Sequence, residues 1–243
     1  MRELPILFSG AMVRAILDGR KTQTRRVIAK QPFDRSWSRH DHRIQYVSGR
    51  AENQDETDGF YAYSTSSGGE WQAKSPFGQP GDRLWVRETH AIFATYGQRR
   101  VDGERWGPWG GLSTVVSPDG KQIVYFREGF DRCDPGRWRP SIHMPRWASR
   151  ILLEVAEVRV ERLQTITEDD ARAEGIAEVP GQSGEPGAWW TGDVKEGSAL
   201  HGHTPVAAFG RLWNSLNAAR DHGWDANPWV WVVSFKPVSS TGA

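Results

Sequence analysis

The chain has 243 residues, with 26 Gly, 14 Pro and an apolar fraction of 37%. That length suits one domain with a real core and many turns. Its net charge of +1 excludes binding of nucleic acid by bulk charge, so any such binding needs a local patch.

Taken in chain order, Pro5–Ser9 reads as a short buried strand built on Ile6, Leu7 and Phe8. Ser9 is a helix-capping residue type, and Met12, Val13, Ile16 and Leu17 fall on one helical face, which Gly19 terminates. The basic turn Arg20–Arg26 then leads into the apolar pair Val27 and Ile28. Residues 32–80 are rich in Ser, Gly, Asp, Gln and Arg. They predict irregular loop with one hairpin around Tyr61, Ala62 and Tyr63. Pro80, Gly81 and Asp82 signal a turn into a strand that places Leu84 and Val86 on one face and Arg83, Trp85 and Arg87 on the other.

After a second loop over 97–120, Gln122–Phe126 reads as a strand, and residues 138–147 as a connector bracketed by Pro140 and Pro145. Ile151–Leu163 alternates as a long strand whose phase slips near Ala156 and Glu157, the mark of a bulge. Thr167 caps a helix over 168–174, with Asp170 in the capping-box position and Gly175 as its stop. Residues 177–204 read as an insertion. Pro205–Ala219 is a helix with Val206, Phe209, Leu212, Trp213 and Leu216 on one face, and Trp229–Phe235 is the final strand. The tail beyond Lys236 is expected to fray. The predicted fold class is α+β: a mixed or closed antiparallel sheet with helices at its rim.

Two clusters supply local positive charge. One is Arg14, Arg20, Lys21, Arg25, Arg26 and Lys30; the other is Arg132, Arg137, Arg139, Arg146 and Arg150. Each reads either as a nucleic-acid footprint or as a solvated basic face. Thirteen Trp fit both a core and a base-stacking surface. The lone Cys133 allows no intrachain disulfide and no Cys-based zinc site. No apolar leader or membrane-length run is present, so the expected compartment is the cytoplasm. His201 and His203 have a spacing that a metal can use, in a Gly-rich loop without further ligands; His143 between prolines reads as a packed or hydrogen-bonded side chain. No P-loop, dinucleotide fingerprint or nucleophile elbow occurs, and no cofactor or metal is expected.

Four segments together resemble the ASCH family of PUA-like β-barrels. They are Ile16–Arg26 with its Gly19, Lys21-Thr22-Gln23-Thr24 and arginines; Pro80–Val86; Leu163–Ile176; and the aromatic strand Trp229–Phe235. With residues 140–148 included, the chain is similar to long members often encoded in phages and prophages. The resemblance implies a single domain over 1–243, a barrel with insertions at about 32–78 and 177–204, and a ligand that is a modified cytidine nucleoside or RNA.

One branch, the small bacterial N4-acetylcytidine amidohydrolases, uses a Lys, a Thr three residues later and a Glu on the short helix. Lys21, Thr24 and Glu174 match these as catalytic residues, and Arg26 has a counterpart as well; Arg25, Arg26 and Trp85 are the expected substrate contacts. Amide hydrolysis needs a nucleophile, a proton shuttle and oxyanion stabilisation. Thr24 offers a hydroxyl, Lys21 a base if neutral, Glu174 an acid or base, and Arg26 a grip on a carbonyl or phosphate. Read without the resemblance, Lys21 and Thr24 are equally well exposed turn residues, and Glu174 a surface carboxylate. The resemblance also leaves room for a non-catalytic RNA- or base-binding module, and for a ribonuclease. The chain is more than twice as long as members of that branch, so its insertions are expected to reshape or cap the pocket.

Overall fold

The computed structural model describes residues 1–31, 43–47, 59–66, 69–95, 111–132, 135–179, 188–190 and 201–238. The chain begins with β1 (Glu3–Leu7) and α1 (Gly10–Leu17), then β2 (Gln23–Val27). Next come β3 (Arg43–Val47), β4 (Gly59–Ser66), β5 (Gly69–Lys74), β6 (Arg83–Arg87), β7 (His90–Ala94), β8 (Thr114–Val116) and β9 (Gln122–Phe126). The C-terminal half holds β10 (Leu152–Arg162), α2 (Glu168–Ala173), β11 (Ala177–Val179), β12 (Ala188–Trp190), β13 (His201–Gly202), α3 (Pro205–Asn217) and β14 (Trp229–Pro237). The described chain is therefore α+β and rich in strands. None of its described helices is long and apolar enough to cross a membrane.

The largest sheet has five strands in the order β1-β6-β10-β14-β2. Its β1–β6 pair is parallel, and its other pairs are antiparallel. The expected closed barrel is not what the strand pairing shows: β1 and β2 are the two edges of an open sheet, and three smaller sheets stand apart from it by hydrogen bonding. The edges are nonetheless linked by a side chain, since Arg26 Nη2 donates to the Leu7 carbonyl at 2.5 Å.

The central β10–β14 ladder shifts register between Val155 and Glu157. The shift keeps Leu153, Val155 and Val158 on the core face while Ala156 and Glu157 stay exposed, so one extra residue preserves a two-residue pattern across the strand. In β6, Leu84 and Val86 are fully buried and the alternate residues are not, as the alternation requires.

Two apolar clusters lie on the two faces of this sheet system. Ile6, Phe8, Val13, Ile16, Leu84, Leu153, Val155, Trp231 and Val233 centre one of them. The other joins Ile166, Ala171, Phe209, Trp213, Val230 and Val232 beneath α2 and α3. Residues 59–66 and 69–74, read from composition as loop with a hairpin, form two strands of a three-stranded antiparallel sheet with β3. Ala62 and Trp71 from this sheet are buried in the first cluster. Composition concealed Trp71 because Glu70 and Gln72 flank it.

Some local expectations fail for clear reasons. Ser9 is extended but its side chain makes no cap bond. On α1 the buried residues are Val13, Ala15 and Ile16, while Leu17, the last residue of the helix, is 53% exposed. The expected 97–120 loop contains β8 in its described part. Cys133 and the tail from 239 lie outside the described residues.

Candidate active site

The site begins where α1 ends. Gly19 has φ +72, which breaks the helix and turns the chain back along α1. The amides of Arg20 and Lys21 both donate to the Ala15 carbonyl, at 2.8 and 2.9 Å. This aims Lys21 inward, where its side chain has no solvent exposure. From the other direction, Thr167 and Asp170 form the expected capping box and start α2. Glu174 closes that helix as its C-cap, and Gly175 follows at φ +99. A β-carbon on Gly175 would sit 2.9 Å from Ala15 Cβ and 3.3 Å from Lys21 Cβ, so the glycine allows the two segments to meet.

They meet through a buried ion pair. Lys21 Nζ donates to Glu174 Oε2 at 2.8 Å, to the Glu174 carbonyl at 2.7 Å and to the Gln23 carbonyl at 2.8 Å. Three acceptors match the three N–H bonds of an ammonium, and a neutral amine cannot satisfy them all. Burial pushes the Lys21 pKa below the usual lysine range, with Glu174 opposing the shift and Arg26 and Arg25 adding to it.

Arg25, also without side-chain exposure, faces three carboxylates: Glu161 at 3.1 Å, Asp170 at 3.2 Å and Glu174 at 3.5 Å. Arg159 extends the network to Glu157, Glu161 and Asp170, and Gln23 Nε2 donates to Asp170. Burial disfavours the Asp170 carboxylate, but donation from the Thr167 amide and hydroxyl and from Gln23, together with the Arg25 charge, brings its pKa to about 2. Arg26 packs over the Phe8 ring, 5.2 Å from its centroid, and burial lowers its pKa against the opposing charge of Glu174.

A cleft of about 210 Å³ opens beside these residues. Thr24, Arg25, Arg26 and Val27 line it consecutively, as an edge strand permits and a central strand does not. Glu174 and Met12 join them, and α3 supplies the opposite wall with Phe209, Leu212 and Trp213. Arg25 Nε and Arg26 Nε are buried and have no hydrogen-bond partner among the described residues, while Arg25 Nη1 and Glu174 Oε1 face each other across the 3.5 Å ion pair without a hydrogen bond. The cleft is thus lined by two guanidinium side chains beside a carboxylate. A ligand presenting both an acceptor and an N–H donor matches that set.

Lys21, Thr24, Arg25, Arg26 and Glu174 therefore come together, and none of them is the exposed turn or surface residue that the plain reading of the sequence allowed. Lys21, Thr24, Arg25 and Glu174 are buried, and Arg26 is half-buried. Trp85 does not join them. It stands on β6, separated from β2 by two strands, and its indole faces the guanidinium groups of Arg87 and Arg146. The aromatic wall comes instead from Phe209 and Trp213. Their helical face was legible, but its partner was not.

Glu161, Arg159 and Asp170 also escaped the sequence reading as site residues. The alternation that places Val158 and Val160 on one face of β10 puts Glu157, Arg159 and Glu161 together on the other, and that signal was available. Among the described residues no three His, Cys, Asp or Glu side chains gather as a metal site; the His201 side chain lies outside them, and His203 is exposed. Comparison with protein families, characterised proteins and solved structures finds no match to this chain.

Proposed function

We propose that the chain is a hydrolase of the ASCH type, on a PUA-like scaffold, that removes the acyl group from the N4 amine of a modified cytosine nucleoside. The observation that carries this reading is the buried Lys21–Glu174 pair, formed by residues 153 apart in sequence, on a cleft that Thr24 also lines. The ligand donors and acceptors suit the substrate. An N4-acylated cytosine offers an amide N–H to Glu174 Oε1 and carbonyl oxygens to Arg25 and Arg26.

The reaction breaks the acyl carbon–N4 bond. Thr24 supplies the attacking oxygen, directly or by orienting water. The N4 amine leaves with a proton, and water supplies the hydroxyl of the released acid. With all three Lys21 N–H bonds donated, Glu174 Oε1, which accepts no hydrogen bond, is the better proton acceptor. Lys21 then fixes that carboxylate in position rather than serving as the base. Arg26 is placed to stabilise the oxyanion.

The same orphaned donors support a second reading, in which the cleft recognises a base without cleaving it. Turnover of N4-acetylcytidine, followed by absorbance, separates the two. The reading expects hydrolysis by the wild type, retained activity in Thr24→Ser, and loss of about a hundredfold or more in Thr24→Val, which keeps the shape of a buried side chain. Full activity in Thr24→Val excludes a role for the hydroxyl. An inactive wild type that still binds cytidine selects the binding module.

A further inference from the structure

A second cleft, of about 440 Å³, lies away from the Lys21–Glu174 site. One wall is Ile92, Phe93 and Ala94 of β7 with Lys121 and Gln122 at the start of β9. The other is the proline-bracketed connector, through Arg139, His143, Pro145 and Trp147. Two aromatic and three basic side chains line it, with no carboxylate among the lining residues. Its size falls within the roughly 300–1,000 Å³ of small-ligand sites.

The connector holds this wall in place. Arg139 exchanges backbone hydrogen bonds with His90, at 3.2 and 2.7 Å, so it is pinned beside β7. Short turns follow: the His143 amide donates to the Pro140 carbonyl at 3.0 Å, and the Met144 side chain is buried below.

The charges sort clearly. Of the basic cluster over 132–150, Arg132 pairs with Asp131, Arg146 with Glu3 and Arg150 with Glu88. The guanidinium of Arg139 and the ammonium of Lys121 are exposed and have no carboxylate partner among the described residues. The nearest acid in sequence to Lys121, Asp119, is engaged by Ser117 Oγ and by the Lys121 backbone amide. Unpaired cations at the rim of an aromatic slot are what a phosphate with an attached planar base requires: charge neutralises the phosphate, and the base stacks on a ring.

We propose that this cleft is a second binding site, taking a phosphate-bearing nucleobase unit of a single-stranded nucleic acid. It is independent of the hydrolase reading, and it places polymer binding on the connector rather than on the basic turn of residues 20–26, whose charges are mostly consumed by carboxylates.

The test is fluorescence anisotropy of a labelled octauridylate between 50 and 200 mM KCl, with wild type, Lys121→Gln/Arg139→Gln and Phe93→Leu. The double variant should bind about tenfold more weakly, with a log–log salt slope flatter by about 0.7, for the one phosphate no longer neutralised. Phe93→Leu should also weaken binding by about tenfold but leave the slope unchanged, because stacking releases no counterions. Turnover of N4-acetylcytidine by the charge variant should equal that of wild type; a wild type without turnover defeats the hydrolase reading and leaves these binding results standing. Equal affinity and slope in the double variant overturns the proposal. So does linear polyphosphate that displaces the oligonucleotide as well as unlabelled octauridylate does, because then no base is read. Should Phe93→Leu fail a thermal-melt check, the exposed charge variant and the polyphosphate competition decide.

Discussion

Lys21 and Arg25 carry charge at zero side-chain exposure, which costs several kcal/mol per ion unless partners compensate. Glu174, Glu161 and Asp170 are those partners, so the candidate site and the local stability rest on the same carboxylates. Asp170 makes this measurable. Its pKa is held at about 2, below the ordinary 3.8, so its contribution is full above pH 4–5 and is lost as pH falls towards 2. The shift corresponds to at most about 2.4 kcal/mol, and partial solvent exposure reduces that to about 1. Asp170→Asn should therefore flatten the acid limb of stability between pH 5 and 2 and cost roughly 1 kcal/mol at pH 7, read by urea unfolding across pH. An unchanged acid limb would show that the Asp170 network is energetically idle. Little of this was legible in the sequence: Asp170 was visible as a helix cap, but a cap does not reveal that its second role is to neutralise Arg25. Lys21, Thr24 and Glu174 were legible only because separated segments resembled one family at once.

At the scale of elements, the two glycines that end α1 and α2 decide whether a site exists. Each turns its helix end so that Lys21 and Glu174 converge, and Gly175 is the tighter of the two. Gly175→Ala combines a left-handed backbone that alanine resists with a 2.9 Å approach to Ala15 Cβ. It should cost about 2 kcal/mol or more and lower the melting temperature by several degrees. It should also reduce turnover more than Thr167→Ala, which loses one cap at about 1 kcal/mol. Equal effects of the two variants would mean that helix stability alone, and not the close approach, governs the site. Elements whose chemistry is local were legible in advance: the capping box of α2, the bulge in β10, the alternation of β6 and the final strand β14. The short strands β8, β11, β12 and β13 were not, because two or three residues carry too little pattern to distinguish strand from loop.

For the whole molecule, the open question in the sequence was which segments belong to the scaffold. Local composition cannot answer it, because burial is set by neighbours distant in the chain. The polar stretch over 32–78 was expected to be an insertion on a common barrel. Insertion or not, its described part places Ala62 and Trp71, 2% and 5% exposed, in one cluster with Ile6, Leu84, Val155 and Trp231, against which Phe60, Ala73 and Phe77 pack. A Trp removed from such a position costs about 3–5 kcal/mol. That is a large share of the roughly 5–15 kcal/mol by which a domain is stable. Trp71→Ala should therefore remain folded but melt well below wild type. Excision of 32–78 should leave a chain without a cooperative melt, since it removes the Trp and its apolar neighbours together and exposes the core face they cover. Far-UV circular dichroism through a thermal ramp reads both. A cooperative melt near the wild-type temperature in the excised chain would show that the five-stranded sheet and its helices stand alone, and that the β3–β5 sheet is an appendage after all.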